Sequence, residues 1–141
     1  MDWVLDCSFA AALCLAIESS TDVRLFMADL HPDDALWVPQ LWWYEMAFLL
    51  TEAERRNQLR SEDVQRILFL FTQLDMNTDC STGLKYYNRI CNLARNHTLP
   101  VNEATYLELA LRKNICLASL SEQLLSVAEK LRIRIPPERL E

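Results

Sequence analysis

Glycine is nearly absent from this sequence. Its 141 residues contain one, Gly83, where average usage of ~7% would give about ten. Because glycine takes positive φ more readily than any other residue, tight turns of that kind are scarce and most connections must run directly into helices. We therefore expect helix to dominate the fold.

Long uncharged runs are missing as well. The longest, residues 7–17, has 11 residues, which is short of the ~20 that a membrane-spanning helix needs. The sequence starts Met-Asp, without the basic start of a secretory signal. We expect no membrane partner and a cytoplasmic location.

Two further absences restrict the chemistry. The net charge is −6, so there is no basic excess that would bind nucleic acid through bulk electrostatics, and any such binding would need a local cation. The five cysteines are odd in number and show no CxxC spacing, which argues against a disulfide framework or a zinc site. We expect reduced thiols.

Short apolar segments alternate with helical ones along the chain. Strands are predicted at 3–5, 36–39, 76–80, 115–118 and 132–135, and helices at 8–19, 20–30, 41–57, from 61 onward, 84–97, 102–113 and from 119 onward. This alternation predicts right-handed crossovers and one α/β domain over 1–141, with a small parallel sheet covered on both faces. Ligands of such sheets gather at the carboxyl ends of the strands.

Three carboxylates stand in apolar surroundings. Asp6 is the one charge in WVLDCSFAAALCLAI, and Glu45 is the one charge in LWWYEMAFLL. Glu103 shares a helix face with Leu107, so it should point inward, whereas Glu108 should face solvent. We expect Asp6 and Glu45 to be largely dry.

Burying an ionised carboxylate costs several kcal/mol unless a cation or several donors offset it. The apolar runs hold no lysine or arginine, although Arg24, Arg95 or Lys113 could reach in from elsewhere. A hard dication, Mg²⁺ or Mn²⁺, is the simpler solution, and Mg²⁺ typically takes one or two protein carboxylates together with waters and substrate phosphates. The carboxylates therefore predict a phosphate-containing substrate.

Each residue also has a plainer interpretation. Asp6 could cap the first helix, Glu103 could be a first-turn acid that the helix dipole favours, and Glu45 could be a paired structural residue. Ser119 and Glu122 match a capping box for the last helix, and Ser121 also fits a capping role.

Four segments, taken in order, resemble the PIN domain, specifically the VapC-type toxins of toxin–antitoxin pairs. They are VLDCS, VPQLWWYEMAFLL, LARNHTLPVNEATYLELAL and LASLSEQL, which match the family patterns V-L-D-x-S, V-P-x-L-x-x-x-E, L-A-R-x-H-x-L-x-x-Y-D-A-x-Y-L-x-L-A and L-A-T-x-D-x-x-L. The resemblance covers almost the whole chain and implies a PIN-like three-layer α/β/α sandwich.

The family's acidic set falls on Asp6, Glu45, Glu103 and Ser121, and Ser8 matches the family serine. Two positions depart from the pattern. Glu103 replaces an Asp, so that one extra methylene displaces the carboxylate, and Ser121 replaces an Asp with a hydroxyl. The resemblance then implies weaker metal binding, with one ion or two both open.

The resemblance implies a Mg²⁺- or Mn²⁺-dependent endoribonuclease that forms a homodimer and is inhibited by a cognate antitoxin. Asp6, Glu45 and Glu103 would be the catalytic metal-binding residues, with Ser8 and Ser121 in support. RNA would meet Arg95, Arg112 or Lys113. Two alternatives remain: a catalytically impaired PIN-fold module that binds RNA or protein, and an unrelated helical interaction module.

Overall fold

The computed structural model describes residues 1–15 and 20–136. Within them the chain forms four strands, β1 (Trp3–Leu5), β2 (Leu36–Pro39), β3 (Met76–Asp79) and β4 (Cys116–Ala118). The same residues form helices α1 (Cys7–Cys14), α2 (Ser20–Ala28), α3 (Gln40–Arg55), α4 (Ser61–Gln73), α5 (Leu84–His97), α6 (Val101–Lys113) and α7 (Glu122–Lys130). The stretch 16–19, where the first helix was predicted to end, lies outside the described residues.

The four strands form one parallel sheet in the order β3-β2-β1-β4. Trp3 pairs with Leu36 on one side and with Cys116 on the other, so β1 has a partner on both edges. The strand order therefore reverses at β1, and ligands of open α/β sheets bind at such a switch point. The predicted α/β class and parallel sheet are confirmed.

Helix α6 is the central helix of the fold. It contacts β1, β2 and β4, while α5 packs along it from another side. Every residue from 104 to 110 is consequently buried. A surface helix buries only one stripe of its circumference. Because α6 is covered on more than one side, polar residues that would face water on a surface helix, Thr105 and Glu108, are buried here.

Several boundaries differ from the sequence predictions. No strand forms at 132–135, although the carbonyl of Arg134 accepts a hydrogen bond of 2.9 Å from the amide of Leu117. Pro100 rather than Asn102 precedes α6, and Ser121 rather than Ser119 caps α7 by accepting from the amide of Leu124. At the start of both helices, the predicted residue lies two positions from the residue that precedes the helix in the structure.

The scarcity of glycine shows at the helix ends. Gly83 precedes α5 with φ of 104°, and Thr98 and Asn114 end α5 and α6 in the left-handed region with φ of 53° and 54°. Asparagine tolerates this conformation through its short polar side chain, whereas threonine is an uncommon choice. None of the described helices has both the length and the apolar character to cross a bilayer.

Candidate active site

The candidate residues meet at the carboxyl ends of β1 and β4. Asp6 directly follows β1, and Glu45 and Glu103 lie in the early turns of α3 and α6. Together with Ser8 and Ser121 they line one pocket of about 710 Å³. The structure therefore brings together all five residues that the sequence analysis selected, which are 115 positions apart at the extremes.

Asp6 is the most enclosed of the three acids, with 4% of its surface exposed. Its Oδ1 accepts hydrogen bonds from the hydroxyl of Ser8 (2.8 Å) and the amide of Phe9 (2.9 Å), and its Oδ2 accepts one from the hydroxyl of Ser119. Burial raises the pKa of Asp6 to about 6; these three donors lower it and the charge of Glu45 adds to the rise. Asp6 thus caps α1, but burial still disfavours the ionised form of its carboxylate.

Glu45 is partly buried, and its carboxylate faces the pocket. Its Oε1 accepts a hydrogen bond of 2.5 Å from the hydroxyl of Tyr106, and its Oε2 accepts one of 3.3 Å from the amide group of Asn102. Burial, followed by the bond to Glu45, raises the pKa of Tyr106 far above its usual value, so Tyr106 acts as a donor.

Glu103 is only half satisfied. Its Oε1 accepts a hydrogen bond of 2.6 Å from the hydroxyl of Ser121, while its Oε2 is buried and has no hydrogen-bond partner among the described residues. Ser121 is fully engaged, because the same oxygen caps α7. A buried carboxylate oxygen without a partner calls for an ion or a water.

Basic side chains do not contribute to the described lining of this pocket. Of the described side chains that line it, none is Lys, Arg or His. Lys113 lies 3.7 Å above the ring of Trp37, and Arg95 donates to Asn92 at 2.7 Å, so neither reaches in as the sequence analysis left open. The three acids are held by neutral donors.

The donor set suits a hard dication that takes two protein carboxylates and completes its coordination with water. Over 1–15 and 20–136, no three His, Cys, Asp or Glu side chains are close enough together to form an all-protein ion site. Mg²⁺ is commonly bound through one or two carboxylates with waters completing the octahedron. Asp6 and Glu45, which interact electrostatically, would supply two such carboxylates, and Oε2 of Glu103 would be able to accept a hydrogen bond from a water.

Glu108 is the clearest error of the sequence analysis. It was expected to face solvent, yet 2% of it is exposed, because α5 covers that side of α6. Arg112 donates to both of its oxygens at 2.7 and 3.3 Å, and Arg89 donates to Oε1 at 3.3 Å. Arg112 also holds Asp79 through bonds of 3.2 and 2.6 Å, so it is not available to RNA as proposed above.

Three residues around the acids were missed as parts of the site. Ser119 donates to Asp6, and Tyr106 and Asn102 donate to Glu45. Sequence signals could have found two of them: Tyr106 stands three residues after Glu103 on the same helix face, and Ser119 directly follows a predicted strand.

Comparison at the level of sequence gives no match, either to a protein-family model or to a curated protein. Structural comparison does. The fold is similar to VapC20 of Mycobacterium tuberculosis, described as a sarcin-ricin loop cleaving toxin, with a TM-score of 0.69 and 14% identity over 89% of this chain and 94% of that one.

Two toxin–antitoxin structures are also similar. VapBC-1 of nontypeable Haemophilus influenzae gives a TM-score of 0.67 at 16% identity, covering 96% of this chain and 97% of that one. VapBC2 of Rickettsia felis, bound to a DNA fragment from its promoter, gives 0.66 at 10% identity, covering 96% and 98%. The chain therefore has the fold of a PIN domain. Among such domains, its neighbours are VapC-type toxins, and at these identities the likeness is one of fold.

Proposed function

We propose that this chain is a Mg²⁺- or Mn²⁺-dependent endoribonuclease of the VapC type, which hydrolyses RNA phosphodiester bonds. The observation that carries the proposal is the pocket itself: three carboxylates from distant parts of the chain meet at the switch point of a PIN-like sheet, with no cationic side chain among the described residues that line it. The structural neighbours include a toxin that cleaves an RNA loop.

The chain's residues have distinct tasks in this proposal. A bound Mg²⁺ or Mn²⁺ supplies Lewis acidity and an acidified water. Asp6 and Glu45 would hold the ion, and Ser8 and Ser119 fix the orientation of Asp6 through hydrogen bonds. Oε2 of Glu103, which has no partner among the described residues, would orient a water by accepting a hydrogen bond from it.

The test is cleavage of a labelled single-stranded RNA by the pure full-length protein with Mn²⁺. We expect Mn²⁺-dependent cleavage that Asp6→Asn lowers by at least about a hundredfold, because it removes one of the two carboxylates that hold the ion. The matched control is Glu62→Gln, which removes an acid that is 79% exposed on α4. Cleavage that survives Asp6→Asn would contradict the proposal.

A second function is favoured by Ser121. Its hydroxyl both caps α7 and donates to Glu103, so it supplies no negative ligand, and a catalytically impaired module that binds RNA or protein is the alternative. Calorimetric titration with Mn²⁺ separates the two. Binding that Glu45→Gln abolishes supports the nuclease, whereas a wild-type protein that takes up no ion supports the binding module.

The partners follow from the same likeness. Two of the structural neighbours are toxin–antitoxin complexes, and we propose that a cognate antitoxin binds this chain and that the chain forms a homodimer in the cytoplasm. Sedimentation of the pure protein tests the dimer. Co-purification with the product of an adjacent gene, together with loss of cleavage in the complex, tests the antitoxin.

A further inference from the structure

Exposed aromatic rings flank the acidic pocket on α3. Tyr44 and Phe48 stand one residue before and three residues after Glu45, and both line the same pocket as the acids. Tyr44 is 75% exposed and Phe48 64%. Neither ring packs on another aromatic ring of the described chain, whereas Trp42 on the same helix packs edge-on against Trp43 and Phe71.

A second hollow adjoins the first. It has a volume of about 500 Å³ and shares Tyr44 and Asn102 with the acidic pocket, so the two hollows adjoin at these two residues. A third exposed ring, Tyr87 (52%), lines the far part of it. The polar lining there consists of amides and hydroxyls such as Gln40 and Ser81. We call the two adjoining hollows, with Tyr87, Tyr44 and Phe48 in their lining, the aromatic track.

The charge of the two hollows restricts what can lie in them. None of the described side chains that line either hollow is Lys, Arg or His, so the phosphates of a polyanion find no basic side chain there. A nucleic acid then has to gain its local affinity from the bound ion and from its bases. Bases stack on aromatic rings irrespective of sequence, and only unpaired bases are free to do so.

We propose that the aromatic track binds unpaired bases of single-stranded RNA on either side of the scissile phosphate, with Tyr44 and Phe48 as the stacking residues nearest the acids. This inference rests on the proposed nuclease function. Tyr44 and Phe48 are positioning residues: they place the phosphate between them over Asp6 and Glu45, and they take no part in bond breaking.

The test measures binding of a labelled single-stranded RNA 12-mer in the Asp6→Asn background, which keeps the RNA intact. We expect Tyr44→Ala and Phe48→Ala each to raise Kd by about fivefold or more, the lower end of what loss of one stacked base gives. Tyr44→Phe, which keeps the ring, should restore binding. An abasic ribose-phosphate oligomer of equal length should bind weakly and should not distinguish the variants.

Phe69→Ala is the matched control. This ring is 61% exposed on α4 and lines neither hollow, so its loss should change Kd by less than twofold. The side chains of Tyr44 and Phe48 lie mostly in solvent, and circular dichroism of each variant checks that its fold is unchanged. Equal losses with Phe69→Ala would overturn the proposal, as would a protein that does not bind the 12-mer.

Kinetics with the otherwise wild-type protein and Mn²⁺ separate this inference from the nuclease proposal. Alanine variants that raise KM more than they lower kcat support stacking. If cleavage occurs and neither KM nor kcat responds, the nuclease stands and the track is wrong. If no cleavage occurs while base-dependent binding persists, the track stands and the nuclease is wrong. If the variants change only the sedimentation of the free protein, the rings belong to an interface between copies.

Discussion

Helix α6 contributes one acid to each of two clusters, which have opposite kinds of hydrogen-bond partner. The open acidic cluster, defined as Asp6, Glu45 and Glu103, is held by hydroxyls and amides, with no ion pair among the described residues. The clamped acidic cluster, defined as Asp79 and Glu108, is held by Arg112 with help from Arg89. Both clusters contain buried carboxylate oxygens, but among the described residues only the clamped cluster is paired with cationic side chains.

The pKa values follow this division. Burial raises the pKa of Asp6 to about 6. Burial also opposes the ionisation of Asp79, but the bonds from Arg112 and Ser81 and the charge of Arg112 outweigh it and hold that pKa below its usual value. Asp79, which is paired with an arginine, is therefore stabilised in its ionised form, whereas the ionised form of Asp6, which has only neutral donors, is disfavoured. Perturbed, unpaired groups in a pocket are the physical mark of a site.

The largest effect should come from breaking the clamp. Arg112→Ala leaves Glu108, whose side chain is 3% exposed, with only the longer contact to Arg89, and it frees Asp79. Removing one partner of a buried pair costs about 3 kcal/mol. We expect a loss of about that size in the free energy of unfolding by urea at pH 7. The control Arg66→Ala removes a pair whose arginine is 70% exposed and should cost less than ~1 kcal/mol; equal losses would contradict the division.

Removing an acid from the open cluster should raise the free energy of unfolding, whereas Arg112→Ala should lower it. The raised pKa of Asp6 means that the folded state holds its proton more tightly than the unfolded state, so stability is lost as pH rises from about 4 through about 6. Asp6→Asn keeps a side chain able to cap α1 and should stabilise the metal-free protein by about 2 kcal/mol at pH 7.5. At pH 4 the gain should vanish.

Thermal unfolding in EDTA at both pH values makes the measurement. Asp34→Asn serves as the contrast, because the hydrogen bond from the N-terminal amine lowers the pKa of that carboxyl. This second variant should be less stable than the wild type at pH 7.5. A destabilised Asp6→Asn protein at that pH would show that the neutral donors around Asp6 are sufficient.

A dication should stabilise the open cluster and ignore the clamped one. With 10 mM Mn²⁺ and a dissociation constant of about 1 mM, linkage adds ~1.4 kcal/mol to the stability of the folded state. We expect Tm to rise by a few degrees in the wild type and in Arg112→Ala, and to stay unchanged in Glu45→Gln. An increase that survives Glu45→Gln would place the ion elsewhere.

The smallest effect is expected at the margin of the clamp. Arg89 is 49% exposed and contacts Glu108 at 3.3 Å, so solvent screens most of the interaction. Arg89→Ala should cost about 0.5 kcal/mol by urea unfolding. A cost as large as that of Arg112→Ala would mean that the two arginines share the clamp equally.

Much of the fold was predictable because local signals coincide with the tertiary arrangement. The strands at 3–5 and 36–39 were predicted with the observed bounds, since both are short apolar runs next to helical patterns. Helix α5, Leu84–His97, was also predicted with its observed bounds, because its apolar residues repeat with helical spacing. Two acids of the open cluster, Asp6 and Glu45, were found because each is the one charge in an apolar run, and Glu103 was found because it shares a helix face with Leu107.

The errors share a different cause. The prediction for Glu108 assumed that α6 buries a single stripe of its surface. In the structure α5 also covers α6, and the sequence of α6 alone does not indicate that contact. The choice between Ser119 and Ser121 as the cap of α7 depends on where β4 ends, because Ser119 is drawn toward Asp6 instead. Pairwise tertiary contacts decided both.

The chain order of the pocket has a consequence for synthesis. Asp6 leaves the ribosome first, but β4 reaches its place beside β1 only when residues 116–118 have emerged, and Ser119 follows them. Until then the nascent polypeptide carries an unfinished pocket with an exposed sheet edge. A polypeptide that ends before residue 116 therefore lacks β4, the Ser119 partner of Asp6 and the Ser121 partner of Glu103.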